Sequence, residues 1–411
     1  MLVKPSFFAT PLAAVAALVS LNTIGILGTD FNYIFLLWLH VGGLTLGLVL
    51  AWLFRPRRAL RGASISLPKV LTAERGLAIT SALIILFLLA RAGVDPLTYI
   101  LNLNHYRLSV NRDVGYAKFV LNLWAVVGVV AYFRRGSGFG RFILLPGLAN
   151  VFWGFRFCFV FALFSVLFAA LSRGPLRVRH IAAGLFAFFL FAGFAIWRDF
   201  AYQQIAIADV AAFLFDLSDS GLATALLAHG FSEHFVAIRY MSDAIAFSES
   251  GLYAPHYGLE YLTQIIRLIH LGNIFGAGFS VDVQFNAFLG GRAPSDLADF
   301  DAGGVVIGLP GSLIIAGGTT ALIIGSMFWG WLCAHTIRRI QHGAQPLYLA
   351  MLPYVLVIYQ SPETNISRNV VILAAYYFVL IAAGYVRSLT QPTRPTNNPI
   401  HTQALTHETQ N

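Results

Sequence analysis

Three arginines lie in the longest polar segment of the sequence, between Ser232 and Gly311. They are Arg239, Arg267 and Arg292, and acidic, tyrosine, histidine and glycine residues are interspersed among them. A guanidinium group stays charged and grips phosphate oxygens through two hydrogen bonds. A polar segment held between apolar ones is also where function usually lies. The segment therefore predicts a site for an anionic ligand, and a lipid diphosphate is the natural candidate.

Side chains that suit a sugar lie in the same segment. Tyr257, Glu260 and Tyr261 follow one another closely, and His256 precedes them. Tyrosine rings offer surfaces on which a sugar ring can stack, and the carboxylate and imidazole groups can bond to hydroxyls. We therefore expect these four residues to contact a sugar.

Motifs of metal and nucleotide chemistry are missing from the sequence. It has no HExxH, no paired cysteine ligands and no glycine-rich loop that precedes GK[ST]. Asp299 and Asp301 form its only Asp-x-Asp pair, which we expect in a solvated loop. The sequence predicts neither a metal ion nor a cofactor.

The composition predicts a polytopic membrane protein. Hydrophobic residues make up 58% of the 411 residues, charged residues make up 11%, and the mean hydropathy is +0.72. The net charge of +9 comes from short basic tracts between apolar runs, which is typical of topology signals and does not indicate nucleic-acid binding. Cys158 and Cys333 lie in apolar runs near opposite membrane faces, so we expect no disulfide.

The apolar runs predict an all-α fold of about ten transmembrane helices with both termini inside. Two runs, from Leu77 to Leu89 and from Val305 to Cys333, are each expected to form one span. The stretch SPETNISRN is predicted to be a short outer turn that holds Glu363 and Arg368.

These spans divide the chain into four regions. We predict N-terminal transmembrane helices in 1–198, a large outer loop with interfacial helices in 199–302, C-terminal transmembrane helices in 303–389 and a disordered tail in 390–411. Within the loop, the stretch from Tyr257 to His270 has helical apolar spacing.

Two further arginines are placed on the outer side by this topology. A hairpin of two short spans turns at Arg156, and Arg368 lies before the last span. An arginine at the membrane surface or within it is a candidate functional residue. Each arginine could instead snorkel or pair with a neighbouring acid.

The order of these features resembles the bacterial oligosaccharide repeat-unit polymerases, the Wzy-type O-antigen polymerases. The matching pieces run along most of the chain: GFR at Arg156, FVAIRY at Arg239, YGLEYL leading to Arg267, GGRAPSDLADF, GGVVIGLPGSLI and Arg368. Where the family usually has a glutamate, an aromatic residue and Asn-Phe-Gly, this chain has Asp299, Phe300 and DAGG.

The resemblance implies a metal-independent, inverting glycosyl transfer between two undecaprenyl-diphosphate-linked oligosaccharides. It would take place on the periplasmic face of the bacterial inner membrane. The resemblance also implies a polysaccharide chain-length regulator as a candidate partner. Arg156, Arg239 and Arg292 would stabilise the leaving diphosphate. Arg267 and Arg368 would contact phosphate or sugar.

The acceptor hydroxyl in such a reaction needs a base. Asp299 is the first candidate and Glu260 the second.

Two other functions remain open on the sequence. An O-antigen ligase uses the same lipid-linked donor, and a transporter or flippase would line its path with arginines. Transporters typically show repeated span patterns, whereas this chain has one outsized loop and no evident repeat. The sequence therefore favours an enzyme.

Overall fold

The regular secondary structure of the chain is helical wherever it is described. The computed structural model describes residues 31–54, 66–102, 105–106, 118–135, 145–149, 178, 182, 186, 241–251, 257–268, 281–291, 307–341, 346–357 and 362–390. No strand occurs among these residues. The predicted all-α class is confirmed for them.

The helices are numbered here in chain order. They are α1 (Phe31–Leu53), α2 (Leu67–Ala92), α3 (Pro96–Leu101), α4 (Lys118–Arg135), α5 (Leu145–Ala149), α6 (Met241–Glu249), α7 (Leu259–Leu268), α8 (Val281–Leu289), α9 (Leu309–Gln341), α10 (Pro346–Val357) and α11 (Pro362–Thr390).

Three of the described helices contain segments that are long and apolar enough to cross a membrane. These segments are Leu67–Ala92 in α2, Leu309–Thr336 in α9 and Ile366–Thr390 in α11. Shorter apolar helical segments occur at Phe35–Ala51 and Phe119–Arg134. The chain therefore has the character of an α-helical membrane protein.

Close packing of α1 on α9 depends on glycine. A Cβ atom at Gly47 would collide with the main chain of Met327, and one at Gly330 would collide with that of Leu44. Small residues at such contacts let two helix backbones approach each other directly. Gly43 lies against Ile323 and Ser326, so residue numbers rise together along both helices, which are therefore parallel.

A buried hydrogen bond also joins these two helices. His40 Nδ1 and Ser326 Oγ lie 2.6 Å apart, and both side chains are fully buried. The Ser326 hydroxyl donates its hydrogen to the Leu322 carbonyl within α9. A polar pair of this kind fixes the register of two apolar helices.

A second packed group consists of α2, α4, α10 and α11. Helix α4 contacts the other three, and Leu121, Val127 and Tyr376 are among the most deeply buried residues of their core. The Glu74 carboxylate is buried in α2 and accepts a hydrogen bond of 3.3 Å from the Trp124 indole of α4. This contact orders the α2–α4 pair.

Two helices begin earlier than the apolar runs indicated. Helix α2 starts at Leu67 and not near Leu77, because Ser66 is extended and Pro68 occupies the first turn. Helix α11 starts at Pro362, so the prediction of an outer turn at SPETNISRN is wrong. Proline fits the first helical turn, where its missing N–H costs nothing.

Candidate functional site

Five of the predicted site residues lie outside the described part of the chain. They are Arg156, Arg239, His256, Arg292 and Asp299. Their predicted roles therefore stay predictions.

The other predicted site residues fall on two helices that pack together. Glu260, Tyr261 and Arg267 belong to α7, and only the backbone of Arg267 is described. Arg368 is partly buried on α11, which packs extensively against α7. Tyr257 lies in the turn that leads into α7. The structure thus brings these sequence-predicted residues onto neighbouring elements.

Helix α7 runs beside the first part of α9 in the opposite direction. The Tyr257 N–H donates to the Ala316 carbonyl at 2.9 Å. The Tyr261 hydroxyl and Ser312 Oγ are 3.1 Å apart. Since one residue number rises while its partner's falls, the two segments are antiparallel. Ser312 is a site residue that the sequence gave no reason to select.

The turn before α7 holds the Tyr257 ring in an exposed position. Tyr257 has φ of 49° and the following Gly258 has φ of 88°. A positive φ is uncommon for a bulky side chain, so its hydrogen bond to Ala316 must help to maintain it. The side chain is 80% exposed, and its ring lies against the Gly317 backbone. The Tyr257 ring is therefore exposed, while a hydrogen bond holds its backbone in place.

Helix α9 is broken where the Tyr257 turn meets it. Gly317 has φ 179° and ψ 32°, and Gly318 has φ 63° and ψ −151°. The second of these conformations is essentially restricted to glycine. The single span predicted between Val305 and Cys333 is matched by one candidate span, Leu309–Thr336, but its helix is interrupted at Gly317 and Gly318. The adjacent glycines in an apolar run were the signal that could have indicated it.

The requirement for glycine at the break can be tested by Gly318→Ala. We expect the free energy of unfolding to fall by about 1–3 kcal/mol, because alanine rarely adopts this conformation. No atom lies within 4 Å of the added Cβ, so the cost is backbone strain alone.

Gly76→Ala is the matched control for that variant. Gly76 lies inside α2 and also has open space around its Cβ position. This change should be neutral or stabilise the helix by up to about 1 kcal/mol. Thermal unfolding of the two purified variants makes the comparison, and equal stabilities would contradict a glycine requirement at 318.

Glu260 is the buried carboxylate of the site. It is 7% exposed and lies in the first turn of α7, where the helix dipole favours a negative charge. The neighbouring Tyr257 and Leu259 are exposed. Glu260 therefore faces the protein side of α7, while Tyr257 faces outward.

Aromatic packing joins two helices of the polar segment, α6 and α8. Phe247 of α6 meets Phe285 and Phe288 of α8 at ring-centre distances of 5.6 and 5.2 Å. Ile307 and Ile315 belong to the same buried cluster. Next to Arg368, the Asn369 amide of α11 donates to the Tyr354 carbonyl of α10 at 3.2 Å and so holds α11 against α10.

The described residues include no group of three His, Cys, Asp or Glu side chains that could hold a metal ion. Asp299 and Asp301 are not among the residues so searched. The predicted independence of metal therefore stays a prediction.

Fold and composition together define the class as an α-helical membrane protein. Comparison of the chain with known families, curated proteins and solved structures gives no match to any of them.

Proposed function

We propose that this protein is a glycosyltransferase that polymerises undecaprenyl-diphosphate-linked oligosaccharide repeat units into O-antigen or a related surface polysaccharide. In this proposal the chain crosses the bacterial inner membrane about ten times and acts on its periplasmic face. The order of sequence features that resembles the Wzy-type polymerases supports it.

The packing of α7 against α11 and α9 also supports the proposal. Helix α7 holds Glu260 and Tyr261 and follows directly on the turn with Tyr257. It packs against the helix that holds Arg368 and against the broken helix α9. A polymerase must grip a sugar beside a diphosphate. An exposed aromatic ring in the turn before α7 and an arginine on the adjoining helix α11 suit those two parts of one substrate.

The reaction makes defined demands on the site. The bond from the anomeric carbon to the diphosphate oxygen breaks, and the acceptor hydroxyl forms the new bond with inversion. Negative charge develops on the leaving diphosphate, which Arg156, Arg239 and Arg292 would stabilise. The proton of the acceptor hydroxyl passes to a carboxylate.

The burial of Glu260 bears on which carboxylate is the base. Because Glu260 is almost enclosed, an acceptor hydroxyl reaches it only if α7 moves. We therefore keep Asp299 as the base.

A flippase is the second candidate, because broken membrane helices are a feature of transporters. The break in α9 is the observation that favours it. Transporters typically place such breaks in corresponding helices of two repeats. Of the three candidate spans, α9 is the one with non-helical residues in its interior, and α2 and α11 have none. The enzyme therefore remains the better supported function.

Removal of divalent metal tests the proposed chemistry. We expect the purified protein to keep its activity on lipid-linked repeat units in EDTA, because arginines take the role that a metal ion would have. The measurement is the length distribution of the polymer with and without EDTA. A strong loss that magnesium or manganese restores would place Asp299 and Asp301 in a metal site and contradict the arginine mechanism.

A further inference from the structure

The break in α9 opens polar backbone within a candidate membrane span. Residues 309–316 are buried throughout, Gly317 and Gly318 are partly exposed, and Thr319 and Thr320 are exposed. Non-helical backbone at membrane depth is tolerated only where protein buries it or water reaches it. Protein encloses Gly317 and Gly318 only in part and leaves the two threonines exposed, so water is the remaining partner for this backbone.

The neighbouring helix α1 places an exposed apolar side chain at the level of the break. The parallel contacts of Gly43 with Ile323 and of Gly47 with Met327 set the register of α1 on α9. Extended toward the start of α1, this register places Phe35 beside the break. Phe35 is exposed, as an apolar side chain in contact with lipid would be. A polar opening at this level is therefore set among apolar surroundings.

One side of the opening is closed by Tyr257. Its N–H satisfies the Ala316 carbonyl at the end of the first helical segment, and its ring lies against Gly317. The threonines that begin the second segment are exposed. The opening thus has an aromatic wall and a rim of hydroxyl groups.

We propose that the break in α9 is the floor of a water-filled recess that admits the hydroxyl-rich sugar part of a lipid-linked substrate. A sugar ring stacks on the exposed face of Tyr257, and its hydroxyls replace water at Thr319, Thr320 and the broken backbone. The identity of the ligand rests on the proposed function. The presence of water rests on the break and on the exposure of the threonines alone.

Thiol accessibility in lipid nanodiscs tests the recess from both membrane sides at once, so its result does not depend on the topology. Single cysteines replace Thr319 or Thr320 in a background with Cys158→Ala and Cys333→Ala. Ile324→Cys and Phe328→Cys are the matched controls, because these side chains lie on the same helix and are 56% and 59% exposed. The reagent is a charged methanethiosulfonate that does not enter lipid.

We expect the two threonine positions to react more than about tenfold faster than the controls, because only a thiolate reacts and lipid suppresses its formation. Equal rates at Thr319, Thr320, Ile324 and Phe328 would overturn the recess. Fast reaction that added undecaprenyl-diphosphate-linked repeat units slow down supports the whole proposal. Fast reaction without such protection overturns the assignment of a sugar.

The same experiment separates this inference from the proposed function. A protein that makes polymer but shows no difference in thiol rates has the function without the recess. A protein that makes no polymer but shows reactive threonines has the recess, and the sugar assignment fails together with the proposed enzyme.

Discussion

Replacing Arg156 or Arg239 by lysine is expected to reduce turnover of the lipid-linked substrate about a hundred- to a thousandfold. The loss should nearly equal that caused by alanine, because an ammonium group cannot reproduce the two-pronged contact of a guanidinium with a diphosphate. If the arginines act on charge that develops during bond breaking, the effect appears in kcat. The measurement is the initial rate of polymer formation by purified variants.

Arg91→Lys is the matched control for these variants. Arg91 is exposed in the last turn of α2, and we expect its lysine variant to keep normal turnover. The abundance of each variant in the membrane is measured alongside, since a folding defect would imitate a catalytic one. If Arg156→Lys and Arg239→Lys make wild-type polymer at normal abundance, the diphosphate clamp is wrong.

Replacing Gly47 by alanine is expected to produce the largest loss of stability. The added methyl group would run into the Met327 main chain, which cannot be relieved by a side-chain rotation. Overpacking of this kind costs about 1–3 kcal/mol and occasionally more. Since the contact joins α1 to the broken helix α9, we expect a lower melting temperature and a loss of folded protein in the membrane.

Gly42→Ala separates packing from helix propensity. Gly42 lies in the same helix, is exposed and has no atom within 4 Å of its Cβ position. Its alanine variant should be as stable as the native protein or more stable by up to about 1 kcal/mol. If Gly47→Ala and Gly42→Ala melt at the same temperature, α1 and α9 do not pack as closely as described.

Regular periodicity in the sequence predicted the helix that carries much of the site. Apolar spacing between Tyr257 and His270 indicated a helix, and the structure has α7 at Leu259–Leu268. Its start could not be predicted from that spacing, because it depends on Tyr257 and Gly258 adopting positive φ. That conformation is supported by a hydrogen bond to Ala316, which is distant in sequence.

Tertiary contacts explain what the sequence did not indicate. The run from Val305 to Cys333 is mostly apolar, so its hydropathy predicts a single span, and only the adjacent Gly317 and Gly318 hint at a break. The break is contacted by Tyr257, which lies in the turn before α7 and is distant in sequence. Likewise, the sequence alone does not show that Glu74 is buried, where Trp124 donates to it inside the α2–α4 pair.

Part of the candidate site follows from residue type alone. Tyrosines and an acid close together in a polar segment pointed to α7, and the structure shows that segment on α11 and α9. The sequence could not show that the Glu260 side chain is buried and that of Tyr257 exposed. That difference depends on which face of α7 the rest of the protein covers. Ser312 could not be selected from the sequence either, because it joins the site only through its contact with the Tyr261 hydroxyl.

The surface glycan of a deletion strain tests the central claim most directly. The lipopolysaccharide of that strain, separated by length, is compared with that of the strain carrying the gene again. The polymerase account predicts a single repeat unit on lipid A core and a restored ladder of lengths on complementation. Uncapped core with accumulated lipid-linked polymer would contradict it in favour of a ligase, and loss of the outward-facing precursor would contradict it in favour of a flippase.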